Sequence, residues 1–468
     1  MSRMSRYSNF DASRRPSATR LLTRGASQRR SGAVVCSLAL ALLSSLLVAP
    51  CAAAAIRGLD LGFADAGFHR TDSQQRAVWL ADARAVGAQT VRIGIPWARV
   101  ASTRPVNGAD PDDPAYRWSE VDARVRDATS RGFRVLPLLF DAPRWAEGPN
   151  RPPSAPPGTW LPDPHAFGQF AEAAARRYHS IKYWQVWNEP NLWYYLSPQW
   201  SNAKGRLIAV APGHYRRMLN AAYAAIKRAN ANSRVVTAGT APFGDPPGGD
   251  RTFPVTFWRL LLKRRTHFDI FAHHPYSVGG PRRQAQNPGD VSVPDLGRLT
   301  RIVRAAGRAG RALPRAGKPL WITEVSWDSS PPDPDGVPST RHARWLTDAL
   351  YLLWKQGAHA VLWSQLRDNP PTGGYPVTYQ GGVLQLSGLA KLAARAFAFP
   401  VACERLAGRR LRVWGKAPRP GRLKIIQGRR TIRRLTTKSA RVFLVTVKSA
   451  SGVHARVPGH TSLTCKPG

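Results

Sequence analysis

Residues 181–191 of this 468-residue chain read IKYWQVWNEPN, and residues 319–327 read PLWITEVSW. Each stretch is an apolar, strand-like run that carries one glutamate at its end, Glu189 in the first and Glu324 in the second. Pro190 lacks the N–H group that a strand ladder needs, so the first strand is expected to stop at Glu189. The two stretches therefore predict two strands, each with a carboxylate at its carboxyl end.

Six further apolar runs alternate with stretches of helical spacing between residues 56 and 400. The eight predicted strands are Gly58–Ala64, Thr90–Trp97, Phe133–Phe140, Ile181–Glu189, Arg234–Thr240, Phe268–Tyr276, Pro319–Trp327 and His359–Leu366. The clearest predicted helices are Ser119–Arg131, Ala166–Tyr178, His214–Ala229 and Arg341–Gln356. Strand–helix alternation indicates a parallel sheet, and eight rounds predict an α/β fold, a (β/α)8 TIM barrel. Long loops rich in Pro, Gly and aromatic residues follow most of the strands, which places the expected site at their carboxyl ends.

The amino terminus has the composition of a secretory signal. Residues 1–32 carry eight arginines and one aspartate, and the apolar run Ala33–Val48 and a small-residue zone follow. The apolar run is shorter than the roughly 20 residues of a membrane span, so residues 1–55 are predicted to be a signal peptide. Two arginine pairs leave a twin-arginine route open. Cys51 suggests a lipoprotein, but Pro50 before it disfavours that processing, and secretion is the preferred interpretation.

Two of the four cysteines, Cys403 and Cys465, clearly remain after such processing. In an oxidising compartment they are expected to form one disulfide, which would stabilise the last segment by about 2–4 kcal/mol. A metal site is not expected, because two cysteines without nearby paired histidines do not make a ligand set.

The formal net charge of +41 is high, and basic residues are spread along the whole chain. Nucleic acid is disfavoured as a partner because no recognisable nucleic-acid motif accompanies this charge. Residues 401–468 are predicted to be a small basic antiparallel β domain; from Glu404 onward they contain 17 Lys and Arg residues and that single acidic one. This domain either binds an anionic cell-wall or extracellular polymer or is a stabilising appendage with a solvated basic surface.

A pair of carboxylates that face one another is the minimal equipment for breaking a glycosidic bond. Strands four and seven lie across a barrel from each other, so Glu189 and Glu324 can both point at one sugar. The alternative is that each glutamate is a salt-bridged strand end. Buried carboxylates beside Trp, Ile and Val are rare without a function, which favours the first interpretation.

The WNEPN string at residues 187–191 and the Thr-Glu pair at 323–324 resemble the glycoside hydrolase clan A barrels, nearest to family 39 and its family 5 relatives. The resemblance implies a proton donor after strand four, Glu189, and a nucleophile after strand seven, Glu324. It also implies substrate or site contacts for six further residues: Arg92, Asn188, His274, Tyr276, Trp363 and Trp145. His273 is expected to be a packed strand histidine instead.

The resemblance implies a retaining glycosidase for a β-linked saccharide or polysaccharide, without a metal or organic cofactor, and the amino-terminal signal predicts that it is secreted. Two other functions stay open at this stage. One is a carbohydrate-binding barrel without catalysis, and the other is a surface adhesion protein whose working part is the basic C-terminal domain.

Overall fold

The computed structural model describes residues 56–438, 441–449 and 451–467. The predicted signal segment, residues 1–55, lies outside this range. No helix in the described ranges is long and apolar enough to cross a membrane.

Eight parallel strands form one sheet in the order β5-β4-β3-β2-β1-β8-β7-β6. They are β1 Asp60–Ala64, β2 Thr90–Pro96, β3 Arg134–Phe140, β4 Tyr183–Val186, β5 Arg234–Thr237, β6 Phe271–His273, β7 Leu320–Ile322 and β8 Ala358–Trp363. Parallel bridges from Val236 to Ile270 and from Thr240 to His273 join β5 to the β6 segment and close the sheet. The (β/α)8 barrel predicted from the sequence is confirmed.

One main helix follows each strand and packs on the outside of the sheet. These helices are α1 Ser73–Ala85, α2 Ser119–Ser130, α3 Pro164–Arg177, α4 Ala211–Ala229, α5 Pro254–Leu261, α6 Gly297–Arg308, α7 Ser339–Lys355 and α8 Leu392–Ala398. Local sequence sets several starts: the Asp163 carboxylate accepts from the backbone N–H groups of the first turn of α3, and Pro164 occupies the first helical position. The large apolar core lies between these helices and the sheet.

A second, smaller apolar cluster fills the inside of the barrel. It contains Leu136, Val236, Trp321 and Leu362, and the rings of Tyr183 and Trp321 lie 4.8 Å apart. Inward side chains from neighbouring strands fill the barrel interior in this way. The open end of the barrel is therefore the one at the carboxyl ends of the strands.

Six of the observed strands stop earlier than the sequence predicted. The strand predicted to reach Glu189 ends at Val186, because Trp187 and Glu189 adopt positive φ angles of 71° and 36°. A left-handed backbone cannot continue an extended strand. The strands predicted to end at Thr240, Tyr276, Trp327 and Leu366 likewise stop at Thr237, His273, Ile322 and Trp363. The strand predicted to end at Trp97 stops one residue earlier, at Pro96. The chemically important residues therefore lie on short turns just beyond the barrel strands.

The chain after α8 forms two small antiparallel sheets. The strands are β9 Val401–Leu406, β10 Arg410–Lys416, β11 Gly421–Gln427, β12 Arg430–Thr437, β13 Val442–Lys448, β14 His454–Val457 and β15 His460–Thr461. The sheet orders are β9-β10-β13 and β12-β11-β14-β15, and a separate apolar cluster lies within this region. Cys403 on β9 and Cys465 near the C-terminus form a disulfide, as the sequence predicted.

Candidate active site

Glu189 and Glu324 come together at the carboxyl end of the barrel. Both side chains are buried, with the residues 1% and 5% exposed, and their nearest carboxylate oxygens lie within 4.8 Å of each other. Glu189 is carried by the turn after β4 and Glu324 by the segment after β7. The meeting of the two carboxylates, inferred from counting strands, is present in the structure.

Glu324 is held by two donors. The Arg92 guanidinium on β2 pairs with Oε1, and the Tyr276 hydroxyl donates to Oε2 at 2.9 Å. Burial alone raises the pKa of Glu324, but the charges of His274 and Arg92 and these hydrogen bonds outweigh it and hold the pKa below its ordinary value. Glu324 is therefore an ionised carboxylate with a fixed orientation.

Glu189 has a different environment. Its Oε1 lies 2.8 Å from Nδ1 of His274, the residue directly after β6, and His274 Nε2 lies 2.9 Å from the Thr323 hydroxyl. A neutral imidazole donates through one nitrogen and accepts through the other, and an imidazolium donates through both. The Thr323 hydroxyl can take either role, so this chain can bond Glu189 as a protonated acid or as a carboxylate.

The backbone around this chain leaves room for the imidazole. A Cβ atom on Gly239, after β5, would lie 2.0 Å from His274 Nε2. Gln185 on β4 donates through Nε2 to the Thr323 hydroxyl at 3.0 Å and so helps to hold that hydroxyl in place. The contacts of Gly239, Gln185 and Thr323 were not expected from the sequence, since each depends on two strands meeting across the barrel.

A cavity of about 500 Å³ opens beside the two glutamates. Arg92 and Asn188 line it, and the Asn188 Oδ1 atom is buried without a protein hydrogen-bond partner. Tyr195 also lines it, and the charges of Glu189 and Glu324, after the larger effect of burial, raise the pKa of its hydroxyl. The structure thus adds Tyr195, which the sequence showed only as one of many loop aromatics, to the site.

Two predicted contacts lie in packed positions. Trp363 is fully buried and donates through Nε1 to the Gly381 carbonyl at 2.7 Å. Trp145 donates through Nε1 to the Ala101 carbonyl at 2.8 Å and packs edge-on against Trp97. Neither residue lines the cavity, and their roles as sugar contacts stay predictions. His273 is buried, with one ring nitrogen bonded to Thr240 and the other to the Val291 carbonyl.

The atoms of Glu189, His274 and Glu324 could also be considered as metal ligands, since one ligand atom from each lies within 4.8 Å of the others. Arg92 already neutralises Glu324, however, and its positive charge would repel a divalent cation at this point. The residues fit a charge-paired carboxylate pair better than a metal site.

Comparison with solved structures agrees with this architecture. A family 39 glycoside hydrolase from Bacteroides cellulosilyticus WH2 superposes with a TM-score of 0.53 at 17% identity, covering 84% of this chain and 80% of the other. A monomeric β-xylosidase from Caulobacter crescentus CB15 gives 0.50 at 16% identity, covering 85% and 97%. A GH5_18 structure from Streptomyces cattleya in complex with GlcNAc gives 0.50 at 18% identity, covering 73% and 79%.

The chain has the fold of these glycoside hydrolases. At identities of 16–18% the likeness establishes the barrel architecture and is not by itself evidence of activity. No protein-family model matches the sequence, and no curated protein matches it. The resemblance to family 39 and family 5 that the motifs indicated is thus matched at the level of the fold.

Proposed function

We propose that this protein is a secreted retaining glycoside hydrolase that cleaves a β-linked saccharide or polysaccharide. The observation that carries the proposal is the pair of buried carboxylates, Glu189 and Glu324, whose oxygens lie within 4.8 Å at the open end of the barrel. Retaining enzymes place their two carboxyl groups about 5–5.5 Å apart, which leaves no room for a water between the attacking oxygen and the sugar. Glycoside hydrolases with the same fold support the proposal.

Glu324 acts as the nucleophile. Its carboxylate is kept ionised by Arg92 and oriented by Tyr276, so one oxygen can attack the anomeric carbon as the bond to the leaving oxygen breaks. Glu189 gives its proton to that leaving oxygen, and His274 holds the resulting carboxylate through Nδ1.

The second step reverses these roles. Glu189 takes a proton from water, the water oxygen bonds to the anomeric carbon, and the ester bond to Glu324 breaks. The sugar leaves with its original anomeric configuration, and both glutamates return to their starting states. Asn188, with its unpaired buried Oδ1, is placed to accept a hydrogen bond from a sugar hydroxyl in the cavity.

The test is chemical rescue on the purified protein, after a panel of aryl glycosides and polysaccharides has identified a substrate. Glu324→Ala should abolish turnover, and azide should restore it with a glycosyl azide of inverted configuration. Glu189→Ala with azide should instead give the retained configuration. Glu172→Gln, which changes a buried glutamate on α3 that pairs with Arg176 and Arg228, is the matched control.

Full activity in Glu324→Ala would refute the assignment. Binding of sugars without release of reducing ends by the unaltered protein would favour the alternative of a carbohydrate-binding barrel without catalysis. Export is tested separately by cell fractionation with and without residues 1–55. The Cys403–Cys465 disulfide supports an oxidising destination.

A second proposed function belongs to the C-terminal domain, which we propose binds an anionic polysaccharide of the cell wall or extracellular matrix. Lys424 on β11 lies directly opposite Arg434 on β12 and opposite Arg456 on β14. All three are exposed on the rim of an open groove that Arg422 also lines. Like charges directly opposite each other destabilise a sheet, and a bound polyanion would relieve this repulsion.

The composition of the domain favours a polysaccharide over nucleic acid. The domain contains two residues of the types Phe, Trp and Tyr, namely Trp414 and Phe443, and both are buried. Its surface therefore offers no ring of these types on which bases could stack. Changing Lys424, Arg434 and Arg456 together to Gln should abolish retention on immobilised polyuronate. The matched control changes the exposed Arg301, Arg304 and Arg308 on α6 to Gln, which removes the same charge from the barrel. Equal loss in both variants would indicate net charge alone, and preferential displacement by an oligonucleotide would indicate nucleic acid.

A further inference from the structure

The wall of the cavity beside the two glutamates also includes residues from the turn after β1, from the segment after β2 and from α2. Besides Arg92, Asn188 and Tyr195, its wall includes His69 from the turn after β1, and Arg99 and Arg124 from the segment after β2. The same wall therefore holds Arg92, which pairs with Glu324, Asn188, which precedes Glu189, and two additional guanidinium groups.

These guanidinium groups have N–H donors that bond to no acceptor in the described part of the chain. Arg124 is 5% exposed and bonds through Nη2 to Glu120 at 2.8 Å, while its buried Nε has no hydrogen-bond partner. Glu120 is itself half exposed, so water weakens its hold on this charge. Arg99 makes no ion pair with any residue described in the structure and is exposed. The Nη1 atom of Arg92 is also buried without a partner.

The other titratable groups in the wall do not neutralise the positive charge of these arginines. The Asp65 carboxylate accepts hydrogen bonds from the backbone N–H groups of Gly67, Leu366 and Arg367, and burial raises its pKa. Burial, with the charges of Arg124 and Arg92, lowers the pKa of His69 to about 3, so His69 is neutral at physiological pH. The remaining carboxylate of the wall, Asp141, faces three arginines, of which Arg92 is paired with Glu324 and Arg124 with the half-exposed Glu120.

We infer that this cavity binds an oxyanion carried by the substrate, through Arg99 and Arg124. A guanidinium can present two parallel N–H donors to a carboxylate or a sulfate. Arg99, which has no ion pair among the described residues, and the Nε of Arg124, which has no hydrogen-bond partner, can both donate to such a group. The substrate is then an acidic saccharide, either a uronic acid or a sulfated sugar. This inference rests on the proposed hydrolase activity and names the substrate class of the same site.

The first test measures binding without turnover. In Glu324→Gln, calorimetry with D-glucuronate, glucose 6-sulfate and glucose as separate probes should show that an anionic sugar binds at least tenfold tighter than glucose, because hydrogen bonds between charged groups are stronger than those between neutral groups. Adding Arg99→Gln should remove that preference, and adding Arg126→Gln, an exposed arginine on the same helix as Arg124, should leave it intact. Preference for glucuronate indicates a carboxylate site, and preference for the sulfate ester indicates a sulfate site. Equal affinity for all three sugars would overturn the inference.

The second test uses turnover of 4-nitrophenyl β-D-glucuronide and the matching β-D-glucoside. Arg99→Gln and Arg124→Gln should lower kcat/KM at least tenfold more on the charged substrate than on the neutral one. Arg99→Gln changes an exposed side chain, so this comparison survives even where Arg124→Gln fails to fold. Efficient turnover of the neutral substrate, with no charge preference and no effect of Arg99→Gln, would refute the oxyanion site while keeping the hydrolase. Retained binding of acidic sugars without turnover of any substrate would refute the hydrolase alone.

Discussion

Gly239 has no side chain at the point where the imidazole of His274 lies, and a Cβ atom there would come within 2.0 Å of Nε2. The ring occupies this space while bridging Glu189 and Thr323. The position of the proposed proton donor thus depends on a glycine on a neighbouring strand segment.

Gly239→Ala should therefore displace His274 and misplace Glu189. Crowding a packed interior costs about 1–3 kcal/mol of stability, and a shift of about 1 Å in a reacting group costs about a hundredfold in rate. We expect a lower melting temperature and a kcat/KM reduced to that extent. Gly307→Ala on α6 is the control, because a Cβ there meets no atom within 4 Å. Unchanged kinetics in Gly239→Ala would show that His274 does not position Glu189.

Tyr276→Phe removes the 2.9 Å hydrogen bond to Oε2 of Glu324 and leaves the ring in place. This bond lowers the pKa of Glu324, so its loss should raise that pKa. Because Glu324 must be ionised to attack, activity should be lost at a higher pH than in the unaltered protein as the solution is acidified. The acidic limb of the kcat/KM profile is the measurement. Tyr223→Phe, a tyrosine on the outer helix α4, should leave the limb unmoved, and the same result for Tyr276→Phe would contradict the assigned role.

The barrel and the meeting of the two glutamates could be predicted from sequence because both depend on counting. Eight apolar runs separated by helical spacing fix the fold, and a carboxylate that follows strand four must face one that follows strand seven. The lengths of the strands could not be predicted, since the positive φ angles of Trp187 and Glu189 have no marker in the local sequence.

Residues that work through a distant partner were also missed. Thr323 matters because His274 reaches it from another strand. Arg99 and Arg124 are two of 69 basic residues, and only the shape of the cavity distinguishes them from the solvated remainder. Trp145 and Trp363 stay predicted sugar contacts, and in the structure both donate their indole N–H groups to backbone carbonyls.

The Cys403–Cys465 disulfide closes a loop with a sequence separation of 62 residues, nearly the whole C-terminal domain. Its removal should destabilise this domain by about 2–4 kcal/mol, because the unfolded segment regains the freedom that the crosslink removes. In chemical denaturation, a reducing agent should lower the midpoint of the unaltered protein and have no effect on Cys465→Ser. A midpoint insensitive to reductant in both proteins would show that the crosslink does not contribute. Turnover should be retained, since neither cysteine lines the cavity.

Glu404, the only acidic residue of the C-terminal domain, joins that domain to the barrel. It accepts from Tyr351 and Lys355 on α7 at 2.6 and 2.8 Å, and from Arg412 on β10 at 2.9 Å. Partial burial raises its pKa, but these hydrogen bonds lower it to about 2. A carboxylate with a depressed pKa stabilises the fold above its unfolded value near 4.5, and that contribution is lost as pH falls toward 2. Glu404→Gln should thus melt at a lower temperature than the unaltered protein at pH 7, and the difference should shrink steadily below pH 4.5. A gap independent of pH would show that the charge of Glu404 is not what stabilises this junction.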